Sequence, residues 1–197
     1  MTNGTRSMNI ELQRSQVGFE PATIWTIGHS THAWEAFVDV LQAHLIDSIV
    51  DVRRFPGSRK FPWFGSDAMS SQLPRDGIGY EWIPQLGGRR SVLPGSPNGG
   101  WRNSSFQGYA DHMASTEFAD GLEQALAAAA QGRTVLMCAE LLWWRCHRRL
   151  ISDLLVHRGH QVLHIQTERA AEPHHLNPMA QAVGEDLRYP PLQLGLL

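Results

Sequence analysis

"RTVLMCAELLWWRCHRRLISDLLVHRGHQVLHIQ", residues 133–166, decides the fold. Arg133–Ala139 is an apolar, β-branched run that reads as a buried strand. Cys146–Arg158 has apolar residues at helical spacing, with Leu150, Ile151, Leu154 and Leu155 on one side, and Gly159 is placed to end that helix. Gln161–Gln166 reads as a second strand. Strand, helix and strand in succession are the repeat of a parallel sheet, because parallel neighbours need a long crossover between them.

The same alternation extends toward the N-terminus. Ile24–Gly28 and Asp47–Arg53 are strand candidates around a helix at Ala33–Leu45. That helix has Trp34, Phe37, Val38, Leu41 and Leu45 on one side. Ser30 or Thr31 is suited to cap it, and Glu35 adds a favourable charge in its first turn. Tyr80–Ile83 is a further strand. Asp67–Leu73, Phe106–Ala114 and Glu117–Ala130 are helix candidates, ended in two cases by Pro74 and Gly132. Phe55–Phe64 carries two prolines and four aromatics and is irregular, and Gly87–Gly100 is a long loop. The expected architecture is a single-domain α/β fold: a mostly parallel sheet of about five strands with helices on both faces, over residues 21–167. Residues 1–20 read as a flexible arm. Residues 168–197, with four prolines and no strong periodicity, read as a tail that packs on the domain or extends from it.

A chain of 197 residues with 42% hydrophobic and 18% charged residues matches an ordinary soluble globular domain. A net charge of −2 excludes a globally basic nucleic-acid binder. Cys138 and Cys146, separated by seven residues, do not make a secreted disulfide framework. No apolar run reaches the roughly 18 residues that span a bilayer. "MTNGTRSMNIELQRSQ" lacks the apolar core of a secretory signal. The expectation is a cytoplasmic protein with reduced thiols and no membrane partner.

In open parallel sheets the functional crevice lies beyond the carboxyl ends of the strands. Those ends carry Gly28-His29-Ser30, Asp51-Val52-Arg53-Arg54, Gly87-Gly88-Arg89 and Cys138-Ala139-Glu140, with Cys146-His147-Arg148 at the start of the next helix. Cys138 and Cys146 are candidate nucleophiles, since cations or a helix N-terminus stabilise a thiolate. Buried structural cysteines are the alternative for both. Glu140, His147, Asp51 and His29 are candidate proton carriers. Arg53, Arg89, Arg102, Arg145 and Arg148, with Ser30 and Tyr109, are candidate anion-binding residues. Asp51 and Arg53 pair if the strand has ended and face apart if it continues. Tyr109, Asp111 and His112 in "SFQGYADHM" have the letters of a proton relay, or simply of a helix start.

Six stretches carry a family resemblance: "TIGHSTHAWEAFVDVL", "IVDVRRFPGSRKFPWF", "GIGYEWIPQLGGRR", "WRNSSFQGYADHM", "VLMCAELLWWRCHRRLISDLL" and "GHQVLHI". The chain resembles the family called domain of unknown function 488 over about residues 23–166. The Cys-Ala-Glu and Cys-His-Arg pair is its most specific part. His29, Ser30, Asp51, Arg53, Gly87, Gly88, Tyr109, Cys138, Glu140, Cys146, His147 and Arg148 fall on the characteristic positions. The resemblance implies a small bacterial or archaeal α/β protein, cytoplasmic, and brings no activity with it. Leu141–Arg145 departs from the pattern by being more apolar than the family's polar spacer.

Three functional readings follow. The first is a thiol-dependent transferase or hydrolase whose cysteine- and arginine-lined site acts on a small anionic or nucleotide-like substrate. The second is a nucleic-acid or nucleotide binding module using Trp63, Trp101, Trp143 and Trp144 as stacking surfaces. The third is a metal or redox protein built on Cys138, Cys146 and His147. The residues name no cofactor, reaction or oligomeric state.

Overall fold

Five strands run parallel: β1 (Thr23–Gly28), β2 (Ser48–Asp51), β3 (Gly79–Trp82), β4 (Thr134–Cys138) and β5 (Gln161–Ile165). They lie in the order β3-β2-β4-β1-β5, and a two-residue strand, β6 (Glu172–Pro173), adds antiparallel to β5. The structure, a computed structural model, describes residues 20–57 and 59–191. The expected N-terminal arm, apart from residue 20, lies outside the described residues, as do residues 192–197.

β4 is buried at every residue, as a strand flanked on both edges and covered on both faces must be. Its side chains alternate: Val135 and Met137 enter one core, Leu136 and Cys138 the other. α1 (Trp34–Ala43) and α2 (Ser66–Gln72) cover the first face with Phe37, Leu41 and Met69. α3 (Ser104–His112), α4 (Thr116–Ala129) and α5 (Arg148–His157) cover the second with Tyr109, Phe118, Leu122, Leu150 and Leu154. The fold is thus α/β, a single domain with helices on both faces, as its strand and helix periods require.

Register sets the position of the candidate site. Gly28 pairs with Cys138 and Asp51 with Met137, so β1, β2 and β4 end side by side. The backbone N–H groups of His29 and Ser30 donate to the carbonyls of Cys138 and Ala139, carrying the pairing past the end of β1.

Two local expectations are corrected. α1 has Ala33 at its N-cap and no side-chain cap, because Ser30, with φ 48°, comes three residues and Thr31 two residues too early. α5 begins at Arg148, not Cys146. A 3₁₀ turn at Trp143–Arg145 intervenes, and Cys146 is extended (φ −117°, ψ 153°). The tail, read as packing on the domain or extending from it, packs on it over its described residues. Beyond β6 it forms a hairpin, β7 (Gln181–Val183) and β8 (Asp186–Arg188), and it sends Leu187 and Tyr189 into the second core.

Candidate active site

Cys138 ends β4, and Cys146 follows the 3₁₀ turn, so the loop between them folds back on the strand end. The sulfurs of Cys138 and Cys146 and a ring nitrogen of His147 all lie within 4.8 Å of one another. His147 Nε2 is 2.8 Å from the Val52 carbonyl oxygen. A carbonyl can only accept, so Nε2 carries the hydrogen. In the neutral ring Nδ1 therefore presents a lone pair, 3.5 Å from Cys146 Sγ. Arg148, 1% exposed, donates from Nε to Cys146 Sγ at 3.5 Å and from Nη2 to the carbonyls of Glu140 and Leu141. Two glycines allow this closeness. A Cβ at Gly28 would run into the Glu140 carbonyl, and one at Gly88 would lie 2.9 Å from His147 Nδ1.

The two thiols are pushed in opposite directions. Burial raises Cys146, but the Cys138 thiol that hydrogen-bonds to it, His147 and the Arg148 guanidinium together hold it well below the ordinary thiol range. Cys138 is raised well above that range, first by its hydrogen bond to Cys146 and then by burial. Of the two sulfurs, Cys146 is thus the one whose thiolate the surroundings favour.

A cleft in two lobes opens over this pair. The smaller, about 160 Å³, is bounded by Arg53, Arg54 and Phe55. The larger, about 450 Å³, is bounded by Ser105, Phe106, Glu140, Arg145 and Cys146. Both share Gly88, Arg89, Cys138, Ala139 and His147. Arg89 and Arg145 are exposed, and neither guanidinium has an ion-pair or hydrogen-bond partner among the described residues.

Residues 33–155, more than half of the chain, match the family described as Domain of unknown function DUF488. The chain belongs to that family. No curated protein and no solved structure matches it. In this DUF488 member the matched span holds both cysteines, His147 and the arginines of the cleft. β5, the tail, and His29 and Ser30 at the end of β1 lie outside it. Among the described residues no helix is long and apolar enough to cross a membrane.

The structure brings Cys138, Cys146, Glu140, His147, Arg53, Arg89 and Arg145 to the cleft, with Arg148 beneath it. It places the remaining candidates elsewhere. Asp51 is fully buried and accepts from Arg53 Nε at 2.8 Å, the Arg53 backbone N–H at 3.0 Å and the Tyr80 hydroxyl at 2.8 Å. The strand has ended, so the pair forms. His29 stacks on Phe64 with ring centroids 4.1 Å apart. Its Nε2 accepts from Arg53 Nη1, so Nδ1–H donates to the Ser30 carbonyl. Burial, then Arg53, lowers His29 to about 4, which keeps it neutral at neutral pH. Ser30 and Arg102 line neither lobe. Tyr109 is buried, donates its hydroxyl to the Leu86 carbonyl, and packs its ring 5.0 Å from that of His147.

The Tyr109-Asp111-His112 set is not a relay. His112 Nε2 donates to the Gln85 carbonyl, and Asp111 accepts from the Leu93 N–H, the Ser96 hydroxyl and Asn98 Nδ2. Asp111 pins the long loop, and Tyr109 and His112 hold the two residues that lead into it; Gly88 and Arg89 of that loop line both lobes of the cleft. Three of the four tryptophans considered for stacking are packed against the protein. Trp101 is buried against Phe106 and Tyr189, Trp63 is half-buried, and Trp143 lies flat on His164 at 4.1 Å. Trp144 is 39% exposed.

A buried network behind the thiol pair has no counterpart in the sequence reading. Asp153 accepts from His174 Nε2 (2.9 Å), the Tyr189 hydroxyl (2.9 Å) and the Asn177 N–H (2.8 Å). His174 Nδ1 then accepts from His164 Nε2 (2.9 Å), and His164 Nδ1 accepts from the Thr26 hydroxyl (2.7 Å). Thr26 Oγ1 accepts from Arg148 Nη1 at 3.3 Å. Each donor has one acceptor, and the direction is the same throughout, from Arg148 to Asp153. The chain of bonds fixes the guanidinium that touches Cys146. Its one sequence signal is an acid, Asp153, three residues from Leu150 and beside Leu154 on an apolar helix face.

Proposed function

We propose that this chain is an enzyme that uses the Cys146 thiolate on a small anionic substrate held in the arginine-lined cleft. One observation carries the reading. Cys146 Sγ lies 3.5 Å from both His147 Nδ1 and Arg148 Nε, at the floor of a cleft whose Arg89 and Arg145 guanidinium groups have no partner among the described residues. His147 Nδ1 is the base that takes the Cys146 proton, and Arg148 holds the resulting charge. Arg89 and Arg145 hold the anion over the sulfur. Sγ forms a bond to the electrophilic atom, the bond to the leaving group breaks, and the proton held on His147 returns to that group. Of the four tryptophans considered for base stacking one is exposed, which takes most of the support from the nucleic-acid reading.

The test is iodoacetamide labelling of reduced, chelator-treated protein at neutral pH, with the adducts mapped. Cys146 is expected to react faster in the native protein than in the urea-unfolded chain, despite its burial. Inorganic phosphate is expected to slow that reaction, and Arg89→Ala to remove the protection. Native cysteines that react more slowly than unfolded ones would overturn the proposal, because that is the behaviour of inert core thiols.

A further inference from the structure

We infer that Cys138, Cys146 and His147 form a three-ligand site for one zinc-class divalent ion, with the fourth coordination position open to the cleft. This goes beyond the thiol chemistry above. It describes a second state of the same residues, in which the sulfurs are ligands.

The geometry points to it in three ways. With Zn–S near 2.3 Å and Zn–N near 2.0–2.1 Å, a tetrahedral ion sets sulfur and nitrogen about 3.5–3.6 Å apart. Cys146 Sγ and His147 Nδ1 are 3.5 Å apart, and Cys138 Sγ lies within 4.8 Å of both. Second, the His147 Nε2–H bond to the Val52 carbonyl leaves the Nδ1 lone pair facing the sulfur. Metal-bound histidines commonly hold their other nitrogen in this way. Third, two thiolates and an imidazole are soft and borderline donors, which select zinc or cobalt over magnesium or calcium. Two thiolates also neutralise the ion's charge, which lets it sit beside Arg148.

The fourth position is what gives the site a use. Cys138 and His147 line both lobes of the cleft, so the open side of the triangle faces Arg89 and Arg145. Among the described residues no fourth His, Cys, Asp or Glu joins the cluster. Three protein ligands with one vacant vertex is the arrangement of catalytic rather than structural zinc. Water or an anion fills that vertex.

Cobalt(II) is the probe. Reduced protein, stripped with a chelator that is then removed, is titrated with Co²⁺ and then with Zn²⁺. The expected result is one Co²⁺ per chain, with a thiolate-to-cobalt charge-transfer band and the strong visible absorption of tetrahedral cobalt, both lost on adding Zn²⁺. Cys138→Ala and His147→Ala are each expected to weaken binding at least tenfold. If either variant misfolds, X-ray absorption at the zinc edge of the wild-type protein gives the answer. Two sulfurs, one nitrogen and one light ligand support the site. A folded wild-type protein that shows no charge-transfer band with Co²⁺ overturns it, as does a zinc shell without sulfur. Failure here leaves iodoacetamide labelling of the metal-free protein unchanged, and inert thiols in that labelling leave the cobalt result standing.

Discussion

His164 is 1% exposed and hydrogen-bonded at both ring nitrogens, accepting from Thr26 at Nδ1 and donating to His174 from Nε2. A second proton would have to go on Nδ1, where it meets the Thr26 hydroxyl hydrogen. Burial first, then the repulsion that His174 exerts when it too is protonated and the charge of Arg148, lower His164 from 6.5 to about 3. The unfolded chain therefore binds this proton before the folded one does. The contribution to stability is complete above pH 6.5 and is lost as pH falls toward 3. With those two values the loss by pH 5 is about 2 kcal/mol, and across the whole window it is about 5 kcal/mol. His164→Gln offers one acceptor and one donor and does not titrate. Urea unfolding of both proteins at pH 7.5 and pH 5.0 isolates the effect, because His29, His112 and His160, also lowered, are common to both. Wild-type stability is expected to fall about 2 kcal/mol further than that of the variant over this range. Equal losses in the two proteins would refute the assignment of His164 as a neutral link.

Asp153→Ala leaves His174, Tyr189 and the Asn177 N–H without their shared acceptor, and is expected to cost about 3–5 kcal/mol, read as a lower thermal midpoint. Gly88→Ala puts a methyl group 2.9 Å from His147 Nδ1 and is expected to suppress native Cys146 labelling while its urea midpoint stays near wild type; an unchanged labelling rate would mean the loop does not clamp that ring.

β1, β2 and β4 were legible because buried strands read as apolar runs, and β4 is the clearest of them, whereas the edge strand β3 is mostly exposed. Cys138 and Cys146 were legible as a pair because one loop joins them at a strand end. The start of α5 was not, since Cys146 and His147 have helix-compatible letters and only the 3₁₀ turn at Trp143 displaces them. β6, β7 and β8 are two or three residues long and mostly exposed, too short for any period to show. Tyr109 is the instructive case. A tyrosine that binds substrate and one that donates to a buried carbonyl are the same letter, and the Leu86 carbonyl that decides between them is 23 residues away. The network from Arg148 to Asp153 spans β1, β5, α5 and the tail, so no local window contains it.

The origin of that network in the tail has a consequence for biosynthesis. Both cysteines, His147 and the arginines of the cleft are translated before His174, Asn177 and Tyr189. A nascent chain that has emerged only through β5 holds every group of the thiol centre, yet Asp153 still has no partner from the tail. Trp143 can already lie on His164, but His164 has nothing to donate to. The bonds of Arg148 itself, to Thr26, Glu140, Leu141 and Cys146, need no residue of the tail, so docking of the tail closes only the far end of the network, at Asp153, behind a reactive centre whose own contacts can already be made.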